Sequence, residues 1–140
     1  MTKNIIWLSF CVYWDIEDVT HKEISDFLQL EPSKIWVKGQ PKVKPGSPIV
    51  WQRNKWMFDA TSDRQMPFDD QLEIMLDVIE AQKDKFKTIC DRHECEFSLG
   101  LYCYTNREES TPSVHLSKRY HQVTGDLNIE FDIDIILLEE

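Results

Sequence analysis

The feature that most constrains the fold is an alternation of apolar and acidic residues near the end of the sequence. The apolar residues Ile129, Phe131, Ile133, Ile135 and Leu137 take every second position, and Glu130, Asp132 and Asp134 take the positions between the first four of them. Because successive side chains of a strand point to opposite faces, this pattern predicts a strand with one apolar and one acidic side. The apolar side favours a central or near-central place in a sheet.

A second alternating segment spans residues 4–14. Its even positions from residue 6 onward are apolar and are predicted to face the core: Ile6, Leu8, Phe10, Val12 and Trp14. Asp15, Glu17 and Asp18 then follow where a signal peptide would need small residues. The segment is also too short to span a bilayer. We therefore expect a first strand in a cytoplasmic protein.

Helix and turn signals fill the middle of the chain. Thr20 and Glu23 have the spacing of a capping box, and Pro32 stops the helix that they begin. A short strand over 35–37 and a loop rich in proline and glycine are expected next, followed by a hairpin over 49–60 with its turn at Arg53 and Asn54. Apolar residues at helical spacing from 68 to 90 predict one long helix, bent near 81–85.

The last part of the chain adds a strand over 95–103 and a short helix over 118–124. Ser117 is predicted to cap that helix and Gly125 to end it. The predicted order is β-α-β-β-β-α-β-α-β. Residues 1–140 are therefore expected to form one α+β domain, with helices on one face of a mostly antiparallel sheet. A ferredoxin-like arrangement is compatible with this order, and the strand order is left open.

The net charge of −9 limits the choice of partner. Nucleic acids and anionic membranes bind chiefly through Lys and Arg, so neither is expected to be a partner. A basic protein would be attracted and its encounter accelerated. The charge leaves the oligomeric state open.

Few residues suggest catalysis or cofactor binding. Cys90, His93 and Cys95 lie close in sequence, but structural zinc needs four ligands and a fourth is not specified. His115 and His121 lie near Ser113 without the elbow motif of a hydrolase. No phosphate-binding glycine motif occurs. We predict no catalytic, cofactor-binding or metal residues, and a metal-dependent enzyme or hydrolase stays an alternative.

The predicted binding residues fall on two acidic surfaces. The first is the acidic side of the closing strand, with aromatic residues that share its face if the strand parities hold: Glu130, Asp132, Asp134, Trp7, Tyr13, Tyr102 and Tyr104. The second is the polar side of the long helix: Asp69, Asp70, Glu73 and Asp77. Aromatic residues beside acidic ones suit an interface with a basic protein.

Three tryptophans near the proline-rich loop support a different hypothesis. Trp36, Trp51 and Trp56 are expected to cluster there, either packing the loop onto the sheet or forming a small-ligand site. Lys34, Lys38, Lys42 and Lys44 make this loop the basic region of an otherwise acidic chain.

The layout resembles a bacterial family catalogued as domain of unknown function 4279. The resemblance rests on short pieces in the same order: 27–33, 36–39, the tryptophan-containing segment 51–58, and 115–118, 125–127 and 131–135 near the end. It implies no established activity or catalytic residue. It does imply a relation to presumed immunity proteins of polymorphic toxin systems, and hence a non-enzymatic inhibitor of a partner toxin.

Overall fold

The chain folds around one five-stranded sheet. The computed structural model describes residues 3–104 and 110–139. Within these residues the elements are β1 (Ile5–Trp14), α1 (His21–Leu28), β2 (Lys34–Trp36), β3 (Asn54–Asp59), α2 (Phe68–Ala81), α3 (Lys83–Arg92), β4 (Glu94–Tyr104), α4 (Lys118–Thr124) and β5 (Glu130–Leu138). The strands lie in the order β2-β3-β1-β4-β5, and only the β4–β5 pair is parallel in this sheet. The predicted α+β class with a mostly antiparallel sheet is confirmed.

The inner side of the sheet carries the core. All five even-numbered side chains of β1 from Ile6 to Trp14 are buried, as the alternation predicted. Trp56 of β3 and Phe97 of β4 extend this layer on either side. Every helix contributes to the same apolar cluster, including Ile24 of α1, Leu76 of α2, Phe86 of α3 and Tyr120 of α4. The helices therefore cover one face of the sheet and leave the other without a helical layer.

The strand β5 lies at the edge of the sheet, so the prediction of a central or near-central place was wrong. It pairs with β4, where Leu101 stands opposite Ile135. The apolar side of β5 is consequently exposed beyond Phe131, with Ile133 at 43%, Ile135 at 67% and Leu137 at 71% exposure. Alternation reports which side of a strand is apolar, but it does not report how many neighbours the strand has.

The hairpin predicted over 49–60 does not form. Val50 makes only an isolated bridge to Pro41, and the strand β3 begins at Asn54. The side-chain oxygen of Asn54 accepts a hydrogen bond from the backbone N–H of Lys38 at 2.9 Å, which ties this residue to the chain leaving β2. The partner of β3 on this side is therefore β2, and residues 37–53 form the connection between them.

The predictions for the helices were more accurate than the prediction of the hairpin. Thr20 accepts from the backbone N–H of Glu23 at 3.1 Å, and Ser117 caps α4, as predicted. The predicted bend in the long helix is a break at Gln82, which separates α2 from α3 and donates to the carbonyl of Leu28 at 2.6 Å. In residues 3–104 and 110–139, no helix has the length and apolarity needed to cross a membrane.

Candidate functional site

We call the side of the sheet opposite the helical core the open face. It consists of the odd-numbered residues of β1 and the residues that pair with them. Ser9 lies at its centre, between Asp59 of β3 and Ser98 of β4, and Asp132 of β5 lies opposite Ser98. The open face therefore presents side chains from every strand, and it can contact a ligand or partner without any rearrangement of the helices.

The acidic residues of the closing strand all lie on the open face. Glu130, Asp132 and Asp134 stand opposite Glu96, Ser98 and Gly100 of β4, and all three are exposed. None of the three forms an ion pair with another residue in the described part of the chain. Their charges are thus available to a cationic partner.

Two aromatic side chains of β1 are held in place on this face. The indole N–H of Trp7 donates to Asp59 at 2.8 Å, and the Tyr13 hydroxyl donates to Glu96 at 2.7 Å. Burial and the hydrogen bond to Glu96 raise the pKa of Tyr13 well above its usual range, so the phenol remains neutral. These contacts fix both rings before any partner arrives.

The two tyrosines of β4 complete the aromatic set. Tyr102 stands opposite Ile136 and Tyr104 opposite Leu138, both on the β5 side of the open face. The ring of Tyr102 lies close to Gly100, because a Cβ built at Gly100 would lie 3.1 Å from Cε2 of that ring. The predicted aromatic and acidic residues therefore share one face, as their parities required.

A basic corner lies at the other end of the open face. Lys55 of β3 is only 9% exposed, and its ammonium lies 4.2 Å from the ring centre of Trp36 and 5.3 Å from that of Tyr13. Trp36 in turn stacks on Trp51 with 4.1 Å between ring centres. Lys34 of β2 adds an exposed second cation. The open face is therefore polarised, basic near β2 and acidic near β5.

A shallow depression of about 210 Å³ crosses the open face between these two ends. Ser9, Ser98 and Gly100 are among the small residues that line it, and Trp36 and Lys55 lie at the basic end. Asp134 belongs to the opposite rim, on β5. Sequence patterns could not reveal this depression, because it depends on the order of the five strands.

The second predicted acidic surface, on α2, is largely engaged within the protein. Arg119 of α4 pairs with Glu73 at 2.5 Å, with Asp77 at 2.7 Å and with Glu80 at 3.4 Å. Asp69 and Asp70 are exposed in the first turn of α2, where negative charge favours the helix itself. The α2 surface therefore offers a partner less unpaired charge than β5 does.

The remaining sequence candidates do not converge on a metal or catalytic site. Cys90 and Cys95 are buried, whereas His93 is half-buried and packs near the ring of Trp14. His115 is exposed. Among residues 3–104 and 110–139, no group of three or more His, Cys, Asp or Glu side chains is placed to hold a metal ion.

The four cysteines should differ sharply in reactivity. All are free, but only Cys103 is partly accessible, while burial raises the pKa of the Cys11 thiol to about 12. Since the thiolate is the reactive form, we expect a disulfide reagent at pH 8 to label Cys103 alone in the folded protein. Mass spectrometry of the labelled protein would check this. Modification of Cys11 at the same rate would contradict its burial beneath the open face.

The expected cluster of three tryptophans was wrong in one member. Trp36 and Trp51 stack beside the open face, but Trp56 stands opposite Val12 and points into the core. Its indole N–H donates to Ser25 of α1 at 2.9 Å. Neighbouring positions of a strand point to opposite faces, so Trp56 and Lys55 are separated by the sheet itself.

Together these features define an α+β protein with a preformed, polarised sheet face. The family described as domain of unknown function DUF4279 matches residues 6–138, and the chain belongs to that family. Comparison with curated proteins finds no match, and neither does comparison with solved structures.

Proposed function

We propose that this chain is a non-enzymatic binding protein that docks a basic protein partner on β5 and the adjoining open face. The observation that carries the proposal is the exposed edge strand. Ile133, Ile135 and Leu137 present large apolar side chains to solvent on one side of β5, and acidic side chains line the other. Exposed edge strands usually mark a site of pairing or must be protected from it.

The charge on β5 argues for a basic partner over a second copy of this chain. If two β5 strands paired edge to edge, they would bring two acidic rows together. A partner strand with basic side chains on the matching side would instead gain attraction at Asp132 and Asp134, which have no ion-pair partner within the described residues. The apolar residues of β5 would supply the desolvated part of such an interface.

The double substitution Asp132→Lys and Asp134→Lys tests this arrangement. We expect it to weaken partner capture from native lysate by at least about tenfold, because close interfacial charge pairs contribute ~1.5 kcal/mol or more. Captured proteins would be quantified by mass spectrometry at low and high salt. Loss of binding should be greatest at low salt, where charges are screened least.

A matched control is the pair Glu17→Lys and Asp18→Lys, which makes the same change in net charge away from the sheet. Both residues are exposed in the loop after β1. The control should capture the partner as the unmodified protein does. If both double variants capture the partner as well as the unmodified protein does, β5 is not the docking strand. If both variants lose capture to the same extent, the effect comes from net charge alone.

The physiological role that fits this binding is immunity-type inhibition of a toxin. The acidic net charge of −9 supports a basic toxin domain as the partner. The four free cysteines favour a reducing compartment such as the cytoplasm. Co-expression with the captured partner should restore growth of cells that the partner alone arrests, and the double β5 variant should fail to restore it.

A further inference from the structure

Lys55 is buried without an anionic partner. It is 9% exposed, and in the described part of the chain its ammonium contacts only the rings of Trp36 and Tyr13. Two neighbouring polar groups of the open face are paired: Ser9 donates to Asp59 at 2.6 Å, and Tyr13 donates to Glu96 at 2.7 Å. Lys55 differs from them, because no carboxylate or other acceptor meets its ammonium in the described part of the chain.

Holding a mostly buried lysine is costly when no anion or hydrogen-bond acceptor meets its ammonium. Aromatic faces attract an ammonium group, but they do not accept its three hydrogen bonds as oxygen atoms do. Trp36 adds a second unused donor, because its buried indole Nε1 has no hydrogen-bond acceptor in the described part of the chain. A mostly buried lysine whose ammonium is not fully enclosed, beside a buried indole N–H without an acceptor, is an arrangement that an incoming oxyanion would complete.

We propose that the basic end of the depression binds a small molecule through its anionic oxygen group, a carboxylate or a phosphate. The ammonium of Lys55 would receive the anion, with Lys34 adding attraction from the exposed rim. Ser98 lines the depression and makes no hydrogen bond through its hydroxyl within the described residues, so it can donate to the ligand.

The shape of the depression limits the rest of the ligand. Its volume of about 210 Å³ is below the ~300–1,000 Å³ of sites for drug-sized molecules. Trp36 of β2 and Trp7 of β1 both line it, and the guanidinium of Arg64 lies over the Trp7 ring at 3.7 Å from the ring centre. A compact ligand with one anionic group and a flat apolar body fits these walls, whereas a second anionic group would approach the carboxylate of Asp134.

This site adjoins the proposed docking surface at Asp134, but the two proposals depend on different charged residues. Anion binding depends on the basic side chains of β2 and β3, and docking depends on the acidic side chains of β5. The two proposals can therefore fail separately. Loss of anion binding in a Lys55 variant leaves the acidic row of β5 unchanged.

The test is a titration of the full chain, followed through its indole N–H signals in 1H–15N spectra. A Trp36→Phe variant assigns the Trp36 signal. The probes are benzoate, phenyl phosphate and the uncharged analogue benzamide. We expect a saturable shift of the Trp36 signal with at least one anion at millimolar concentrations and no shift with benzamide. Whichever of benzoate and phenyl phosphate binds more tightly shows whether the site prefers a carboxylate or a phosphate.

Lys55→Met should weaken binding of the effective anion by about ten- to a hundredfold, the effect of losing a hydrogen bond to a charged group. The matched control Lys38→Met removes an exposed lysine of the neighbouring loop and should bind as the unmodified protein does. Without ligand, Lys55→Met should retain or increase the melting temperature, because a methionine needs no counter-ion. Should Lys55→Met not fold, the comparison of the anions with benzamide still decides the proposal.

Three outcomes would overturn the site. One is no saturable shift with either anion, and another is equal binding of benzamide. The third is unchanged binding in Lys55→Met. If free anions fail to bind but Lys55→Met loses a captured protein partner, the cation serves a carboxylate of that partner and the small-molecule proposal is wrong.

Discussion

Replacing Phe10 by alanine is expected to lower the free energy of unfolding by about 3–5 kcal/mol. Phe10 is fully buried at the middle of the central strand. Its ring packs edge-on against Phe86 of α3 at 5.1 Å, Phe97 of β4 at 6.0 Å and Trp56 of β3 at 6.4 Å. Truncation would leave a cavity where three elements meet, and rings held by separate elements cannot all move in to fill it.

Urea denaturation followed by circular dichroism would measure this loss. Phe27→Ala is the matched control, because Phe27 is 36% exposed on α1 and lies outside the core cluster. We expect its effect to stay within about 0.5 kcal/mol, as for most surface substitutions. Similar losses at both positions would show that Phe10 is not at the centre of the core.

Replacing Gln71 by leucine should be nearly as damaging, with an expected loss of about 3 kcal/mol or more. Gln71 of α2 is 1% exposed, and its side-chain amide forms hydrogen bonds with the backbone of β1. Its nitrogen donates to the carbonyls of Ile6 at 2.8 Å and Met66 at 2.9 Å, and its oxygen accepts from the N–H of Leu8 at 3.1 Å. Leucine would bury these three backbone groups without partners.

The substitution Gln71→Glu separates the loss of these hydrogen bonds from a change in packing. A protonated carboxyl can accept from Leu8 and donate to one carbonyl, whereas a charged carboxylate would face the carbonyl oxygens of Ile6 and Met66. Burial near these oxygens raises the folded pKa above the unfolded value of about 4.3, so stability should fall as pH rises above that value. Gln65→Leu, at an exposed position, should show little change at any pH. A flat profile for Gln71→Glu would contradict the proposed hydrogen bonding.

Gln71 also shows where sequence patterns reach their limit. Gln71 lies three residues after Phe68 and four before Met75, so helical spacing places it on the apolar side of α2. The pattern does not indicate which backbone groups its amide would bind. Its role arises because β3 pairs with β1 only from Ser9 to Trp14, which leaves the first part of β1 without a strand on that side. The side-chain amide of Gln71 therefore makes the hydrogen bonds to β1 that a neighbouring strand would otherwise make.

The residues proposed to bind a partner or a ligand also divide into those that sequence patterns located and those that they missed. Alternation along the strands correctly placed Trp7, Tyr13, Tyr102 and the acids of β5 on one face, because side-chain parity is a local property. Lys55 was missed, since its burial comes from Trp36 and Tyr13 on two other strands. The engagement of the α2 carboxylates by Arg119 was missed for the same reason.

The sequence by itself determined the local features of this protein. Strand parity, the Thr20 and Ser117 caps and the break near Gln82 all depend on residues within a few positions of one another. The tertiary structure alone decided the strand order, and with it the edge position of β5, the burial of Lys55 and the depression between them. The physical reason is that a strand's own residues specify its faces, whereas its neighbours are chosen by packing and hydrogen bonding across the whole chain.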